Sequence, residues 1–127
     1  MDIFKRTFSI NVLGSVYVAK HAAVAMSKNK PVNDKGERGV IIFVSSIAAD
    51  DGIKGWVNYS ASKGAINGLV LPMARDLGRY GIRCAAIAPG IIATPMYARV
   101  HPQMKERFNS DTPMGRPGEP QEIADFC

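Results

Sequence analysis

Gly39-Val40-Ile41-Ile42-Phe43-Val44-Ser45-Ser46 is the stretch on which the fold turns. Residues 40–44 are continuously apolar and β-branched or aromatic, without the alternation of a strand that has one wet face. They read as a strand covered on both sides in a parallel sheet. Residues 45–57 carry Asp50, Asp51, Gly52 and Gly55 and read as a loop. A helix starts near Tyr59, with Ile66, Leu69, Val70, Met73, Leu77 and Tyr80 along one stripe. Pro72 costs about 3 kcal/mol in a helix interior and frees the carbonyl of Gly68, so a kink rather than an end is expected there. Gly81 is the expected stop. Residues 83–88 form a second short apolar strand that ends at Pro89-Gly90. Strand, helix, strand is one right-handed crossover unit of an α/β protein.

Upstream, Phe4, Phe8, Val12, Val16, Ala19, Ala23 and Met26 recur at steps of three or four, which predicts a long helix from Ile3 to Met26. Gly14 and Ser15 weaken it slightly but allow close approach of another group. Residues 28–39, rich in Lys, Asn, Asp, Pro and Gly, read as a surface loop. Beyond Gly90 the chain is irregular, with an amphipathic piece around Met96, Tyr97, Val100, Met104 and Phe108, then Pro113, Pro117 and Pro120. A segment of this kind is expected to be a lid or binding loop, its methionines adapting to an acyl chain or else filling an irregular core. Glu119-Pro120-Gln121-Glu122-Ile123-Ala124 opens another helix.

At 127 residues and 46% hydrophobic content, the chain has the length and composition of one globular domain. Its net charge of +5, from 16 basic and 11 acidic residues, is densest at Lys28, Lys30, Lys35 and Arg38. No basic stripe or nucleic-acid motif accompanies it, so no nucleic-acid partner is assigned. A solvated surface explains it, with weak steering of a phosphate-rich ligand such as a coenzyme A ester as the alternative. Cys84 and Cys127 make no disulfide framework and no metal spacing, which favours a reducing compartment. His21 and His101 have no partners at metal spacing and receive no role. Without a long apolar run or a leader at Met1, a soluble protein without a membrane partner is expected, cytoplasmic or of the mitochondrial matrix.

Ligands of open parallel sheets bind beyond the carboxyl ends of the strands, where Ser46 and Pro89-Gly90 are both expected. Tyr59 and Lys63 stand four residues apart, so a helix puts both on one face. A phenol ordinarily titrates at about 10, and a neighbouring ammonium favours the phenolate. Tyr59 is therefore a candidate general acid and base, and Ser46 a candidate donor to a substrate oxygen. Each has a plainer reading. A Tyr and a Lys at this spacing arise by chance, Ser46 serves equally as a turn cap, and Pro-Gly is an ordinary turn.

Taken in order, Asn11-Val12-Leu13-Gly14, Ser45-Ser46, Tyr59-Ser60-Ala61-Ser62-Lys63-Gly64 and Pro89-Gly90 followed by Thr94-Pro95 resemble the short-chain dehydrogenase/reductase family over about residues 4–124. Residues 39–42, 71–77 and 87–90 are most similar to its members acting on 3-hydroxyacyl-CoA and hydroxysteroids. The resemblance implies a partial Rossmann-type doubly wound parallel sheet and an NAD- or NADP-dependent oxidoreductase that interconverts a secondary alcohol and a ketone. It implies a tetrad of Asn11, Ser46, Tyr59 and Lys63. Tyr59 would carry the proton, Lys63 would also bind the nicotinamide ribose, and Asn11 would hold a water linking Lys63 to solvent. Ser46 and Tyr59 would hold the substrate, and Pro89, Gly90, Ile92 and Thr94 would meet the nicotinamide carboxamide. A 3-oxoacyl carrier-protein reductase, and an inactive chain associating through its two long helices, are the alternatives. A homo-oligomer, dimer or tetramer, is implied for the parent protein.

Members of the family begin with a strand, a Gly-rich turn and a helix that receive the cofactor pyrophosphate. None of this stands in residues 1–127, nor does the residue selecting NAD over NADP. Gly52-Ile53-Lys54-Gly55 and Gly115-Arg116-Pro117-Gly118 are not expected to have the strand before and helix after that such a turn needs. A fragment comprising the catalytic half of one domain, residues 1–127, is expected, with little affinity for a dinucleotide.

Overall fold

The two apolar runs pair as expected. In the computed structural model, which describes residues 1–127, β1 (Gly39–Val44) and β2 (Ile82–Ile87) are parallel neighbours, in register from Gly39 opposite Ile82 to Val44 opposite Ile87. They belong to one compact unit, Met1–Ala88; Pro89–Cys127 forms another.

The amino-terminal helix is continuous but not uniform. α1 (Asp2–Phe8) passes through a π-helical segment, Ser9–Leu13, into α2 (Gly14–Ser27). Asn11 lies at the centre of the π segment, and the Ser15 hydroxyl donates to its carbonyl at 2.7 Å. A π turn of this sort inside an α-helix is rare and is frequently found at functional sites. Periodicity cannot reveal it, because one added residue in a turn barely disturbs a stripe read at steps of three or four.

β1 departs from the expectation of burial on both faces. Ile41 and Phe43 are buried, whereas Val40 and Ile42 are half-buried and Val44 is 56% exposed. The covered face carries the core, where Ala19 and Ala23 of α2 and Ile66 of α3 (Val57–Gly78) meet Ile41, Phe43 and Ile82. Full burial of a side chain such as Ile66 contributes about 1.5–3 kcal/mol. Alanines at 19 and 23 let α2 approach closely, and a side chain on Gly39 would run into the Met26 sulfur, 2.6 Å from its Cβ position. Beside β1 and α2 lies an open groove of about 470 Å³ lined by Ile10, Gly14, Val18, Met26 and residues 40–44.

α3 continues past the position of Pro72 instead of ending there, so the apolar stripe outweighs the lost hydrogen bond. It ends at Gly78, earlier than expected, because Arg79 and Tyr80 already form the turn into β2. Gly81 instead serves that turn, adopting φ +70° beside the Gly36 carbonyl.

The polar loop at residues 28–38 is closed by Arg38 rather than merely solvated. Its guanidinium donates to the carbonyls of Asn29 at 3.2 Å, Gly36 at 3.4 Å and Tyr80 at 3.1 Å. Its backbone N–H donates to the Gly81 carbonyl at 2.7 Å.

In the second unit, Ile92 and Gly118 form a parallel bridge, with α4 (Pro95–Ala98), α5 (Pro102–Asp111) and α6 (Pro120–Ala124) around it. The Tyr97 hydroxyl donates to Asn109 Oδ1 at 3.1 Å, tying α4 to α5. Glu119 and Glu122 form a capping box at α6, and Arg116 grips the Glu122 carboxylate through two N–H bonds of 2.9 Å. That grip, with the Glu119 backbone N–H, lowers the Glu122 carboxyl to about 2. Met96, Met104 and Met114 are exposed, which removes the core-filling reading of these methionines. No helix is long and apolar enough to cross a membrane.

Candidate active site

The carboxyl end of β1 is where the polar side chains gather. The chain turns after Val44 into Ser45 and Ser46, both buried. The Ser46 side chain accepts from the Ala48 backbone N–H at 3.2 Å, capping a 3₁₀ turn, Ile47–Ala49. Its plainer reading as a turn cap is thus realised, and the cap also fixes where its hydroxyl sits. Ser45 donates to the Lys63 carbonyl at 3.1 Å, which ties the strand end to the helix.

Lys63 returns the tie. Its ammonium donates to the Val44 carbonyl at 2.8 Å and lies 5.6 Å from the centre of the Tyr59 ring. Burial pushes this ammonium below the usual lysine range. Trp56, the residue before α3, meets the Tyr59 ring edge-on with the ring centres 5.5 Å apart. The helical spacing expected for Tyr59 and Lys63 is therefore present, with the charge over the ring face and anchored on the strand.

Asn11 reaches the same turn of α3 from the π segment. Its Nδ2 donates to Ser62 Oγ at 3.0 Å, and the Ser62 hydroxyl donates in turn to the Tyr59 carbonyl at 2.7 Å. Asn58 adds a second clamp by donating to Thr7 Oγ1 at 2.7 Å. Asn11, Tyr59, Lys63 and the end of β1 are thereby joined through named hydrogen bonds, while Ser46 is joined to them through its neighbour Ser45. Motif and spacing give Ser45 and Ser62 no role of their own. A serine in a helix interior is the available signal, since such a residue is unfavourable unless its hydroxyl finds a backbone carbonyl.

Pro89, Gly90, Ile92 and Thr94 belong to the second unit. There Thr94 caps α4, its hydroxyl accepting from the Tyr97 N–H at 3.4 Å. Ile92 packs so closely on Gly118 that a Cβ there would lie 2.9 Å from its Cδ1.

One expectation needs correction. Gly52-Ile53-Lys54-Gly55 does lead into a helix, since α3 begins at Val57, and β1 precedes it, while Gly115-Arg116-Pro117-Gly118 leads into α6 at Pro120 but follows α5 rather than a strand. The 3₁₀ turn capped by Ser46 stands between strand and glycines, so the tight strand-to-helix turn of a phosphate cradle is still not formed. The donor set accordingly fits one end of a dinucleotide: the Lys63 ammonium at the strand end suits ribose hydroxyls, and no glycine cradle for a pyrophosphate accompanies it.

The family model described as enoyl-(acyl carrier protein) reductase matches residues 1–127. The chain is 41% identical over 125 residues to the 3-hydroxyacyl-CoA dehydrogenase type-2 of Mus musculus, covering 98% of this chain and 48% of that protein. Its structure matches that of a 3-hydroxyacyl-CoA dehydrogenase type-2 from Mycobacterium avium with a TM-score of 0.90 at 35% identity, over 96% of this chain and 47% of that one. A 3-oxoacyl-[acyl-carrier protein] reductase from Brucella melitensis matches with a TM-score of 0.84 at 34% identity, over 98% and 44%. The chain spans about half the length of the relatives it matches. A match along all 127 residues, on a strand–helix–strand unit with this serine, tyrosine and lysine arrangement, leaves one conclusion: the chain belongs to the short-chain dehydrogenase/reductase family.

Proposed function

We propose that residues 1–127 are the catalytic half of a single domain whose whole protein interconverts a secondary alcohol and a ketone on a 3-hydroxyacyl-CoA or hydroxysteroid substrate, with NAD or NADP. The observation that carries this reading is the bonded set in which Asn11 reaches the Tyr59 turn through Ser62, while Lys63, one turn further along α3, is tied to the Val44 carbonyl at the end of β1. A nicotinamide cofactor, when bound, supplies or accepts hydride at the substrate carbon. Tyr59 gives the proton to the substrate oxygen in reduction and removes it in oxidation. Ser46 holds the substrate oxygen, Lys63 binds the ribose hydroxyls, and Asn11 holds a water that links Lys63 to solvent. Pro89, Gly90, Ile92 and Thr94 meet the carboxamide.

Two other readings have specific support. The match to a 3-oxoacyl-[acyl-carrier protein] reductase favours an acyl carrier-protein substrate. Tyr17, Val18, Val24 and Leu71, all exposed on α2 and α3, favour a homo-oligomer built on those helices, with or without catalysis.

In the whole protein, Tyr59→Phe is expected to lower kcat about a hundredfold or more while cofactor affinity stays nearly unchanged. Near-normal turnover would eliminate Tyr59 as the proton carrier. The 127-residue chain by itself is expected to give no thermal shift with micromolar NADH, and binding in that range would show that the missing glycine cradle is dispensable.

A further inference from the structure

α3 begins without a cap. Trp56, at the N-cap position, makes no side-chain hydrogen bond to the helix, and no acidic residue stands in the first turn. The N–H groups of a first turn have no partner within the helix, and a capping side chain contributes about 1 kcal/mol by satisfying one of them. The first intrahelical bond here runs from the Ser60 N–H to the Trp56 carbonyl at 2.8 Å. Tyr59 therefore lies in the turn of α3 that its own backbone holds least.

A bond from another element supplies the hold. Asn58, next to Tyr59, donates from Nδ2 to Thr7 Oγ1 of α1 at 2.7 Å, across 51 positions. The single hydroxyl proton of Thr7 goes to the Ile3 carbonyl at 2.8 Å, one turn back on its own helix. Its oxygen is left as an acceptor, so the amide end that faces it is Nδ2. One turn further on, Asn11 and Ser62 are bonded at the same offset of 51 positions. Two polar rungs thus join the amino-terminal helix to α3, one on each side of Tyr59. The Ser62 rung precedes Lys63 by one residue, whereas the Asn58 rung stands in the uncapped turn itself.

We propose that Asn58 is a positioning residue: through Thr7 it holds the uncapped first turn of α3, and with it the Tyr59 phenol, in place beside the Lys63 ammonium. It acts through Tyr59 and not on the reacting atoms. Lys63 has ties of its own to β1 and the residue after it, from its ammonium to the Val44 carbonyl at 2.8 Å and from Ser45 to its carbonyl at 3.1 Å. Loss of the Asn58 rung is therefore expected to disturb proton transfer and spare cofactor binding. The effect on turnover rests on the dehydrogenase reading above, and the hold on the helix turn does not.

In the whole protein, Asn58→Ala and Thr7→Val are each expected to lower kcat about tenfold with the cofactor KM changed less than about twofold. The double variant should be no worse than either, because both remove one bond. Thr7→Ser, which keeps the hydroxyl, should stay within about twofold of wild type. Normal kcat in both single variants, losses that multiply in the double variant, or a Thr7→Ser protein as impaired as Thr7→Val would overturn the proposal. Thr7→Val keeps the shape of a half-buried side chain and covers an Asn58→Ala protein that does not fold. A second readout needs no turnover: the Ser60 amide should exchange with solvent about tenfold faster in Thr7→Val than in wild type, while the amide of buried Ile66 is unchanged. Unchanged exchange at Ser60 would overturn the proposal whether or not the protein is a dehydrogenase. Absence of wild-type turnover on 3-hydroxyacyl-CoA and hydroxysteroids, with Ser60 exchange raised as expected, would instead count against the dehydrogenase reading and support the clamp.

Discussion

Gly81 meets two demands at one Cα. It holds φ +70°, a conformation costing about 1–2 kcal/mol for any residue with a Cβ, and the Gly36 carbonyl occupies the space a Cβ would need. Gly81→Ala is therefore expected to lose about 2 kcal/mol or more of stability in urea unfolding of the chain. A change within experimental error would mean that the Gly36 turn yields at little cost. Lys63 shows the other side of residue-scale reasoning. Its type and spacing from Tyr59 were legible in the sequence, yet its hydrogen bond to the Val44 carbonyl was not, because only the packing of α3 on β1 brings that carbonyl within 2.8 Å. Ser62 was invisible for the same reason: its partner Asn11 is 51 positions away.

Elements were legible where one period ran uninterrupted. The stripe from Ile66 to Leu77 correctly carried α3 across Pro72. Since Pro72 lies on an exposed face, Pro72→Ala is expected to restore a hydrogen bond to the Gly68 carbonyl and to stabilise the chain by about 1–3 kcal/mol in thermal or urea unfolding. A loss of stability would show that the proline ring is itself packed to advantage. At the start of α6, Glu122 is expected to titrate near 2, below its ordinary 4.5, because Arg116 and the Glu119 N–H favour the ionised form. A lowered carboxyl pKa supports the fold above about 4.5 and loses that support as pH falls toward 2, since the unfolded chain takes up the proton first. Monitoring the amide resonances of residues 118–123 from pH 5 to 2 should show this step, and Glu122→Gln should abolish it. The π segment at Ser9–Leu13 stayed hidden because it alters hydrogen bonding by a single residue without changing which side chains are apolar.

Across the whole molecule, the two-stranded sheet is covered on one face by α2 and α3, and large apolar side chains remain exposed on both helices. Exposure of this extent favours association. Sedimentation of the chain at tens of micromolar is expected to show a dimer or larger species, weakened by Val18→Lys with Leu71→Lys. A monomer throughout that range would count against the helices as an interface. By itself the sequence determined the α/β class, the strand–helix–strand order and the identity of the candidate proton-transfer residues. Those follow from local periodicity, turn chemistry and motif spacing, which act within a few residues. Only the tertiary structure decided that β1 has one covered face, that Arg38 locks the polar loop, and that Asn11 meets the Tyr59 turn through Ser62. These depend on contacts between segments far apart in the chain, where a hydrogen bond exists only once packing has brought donor and acceptor together.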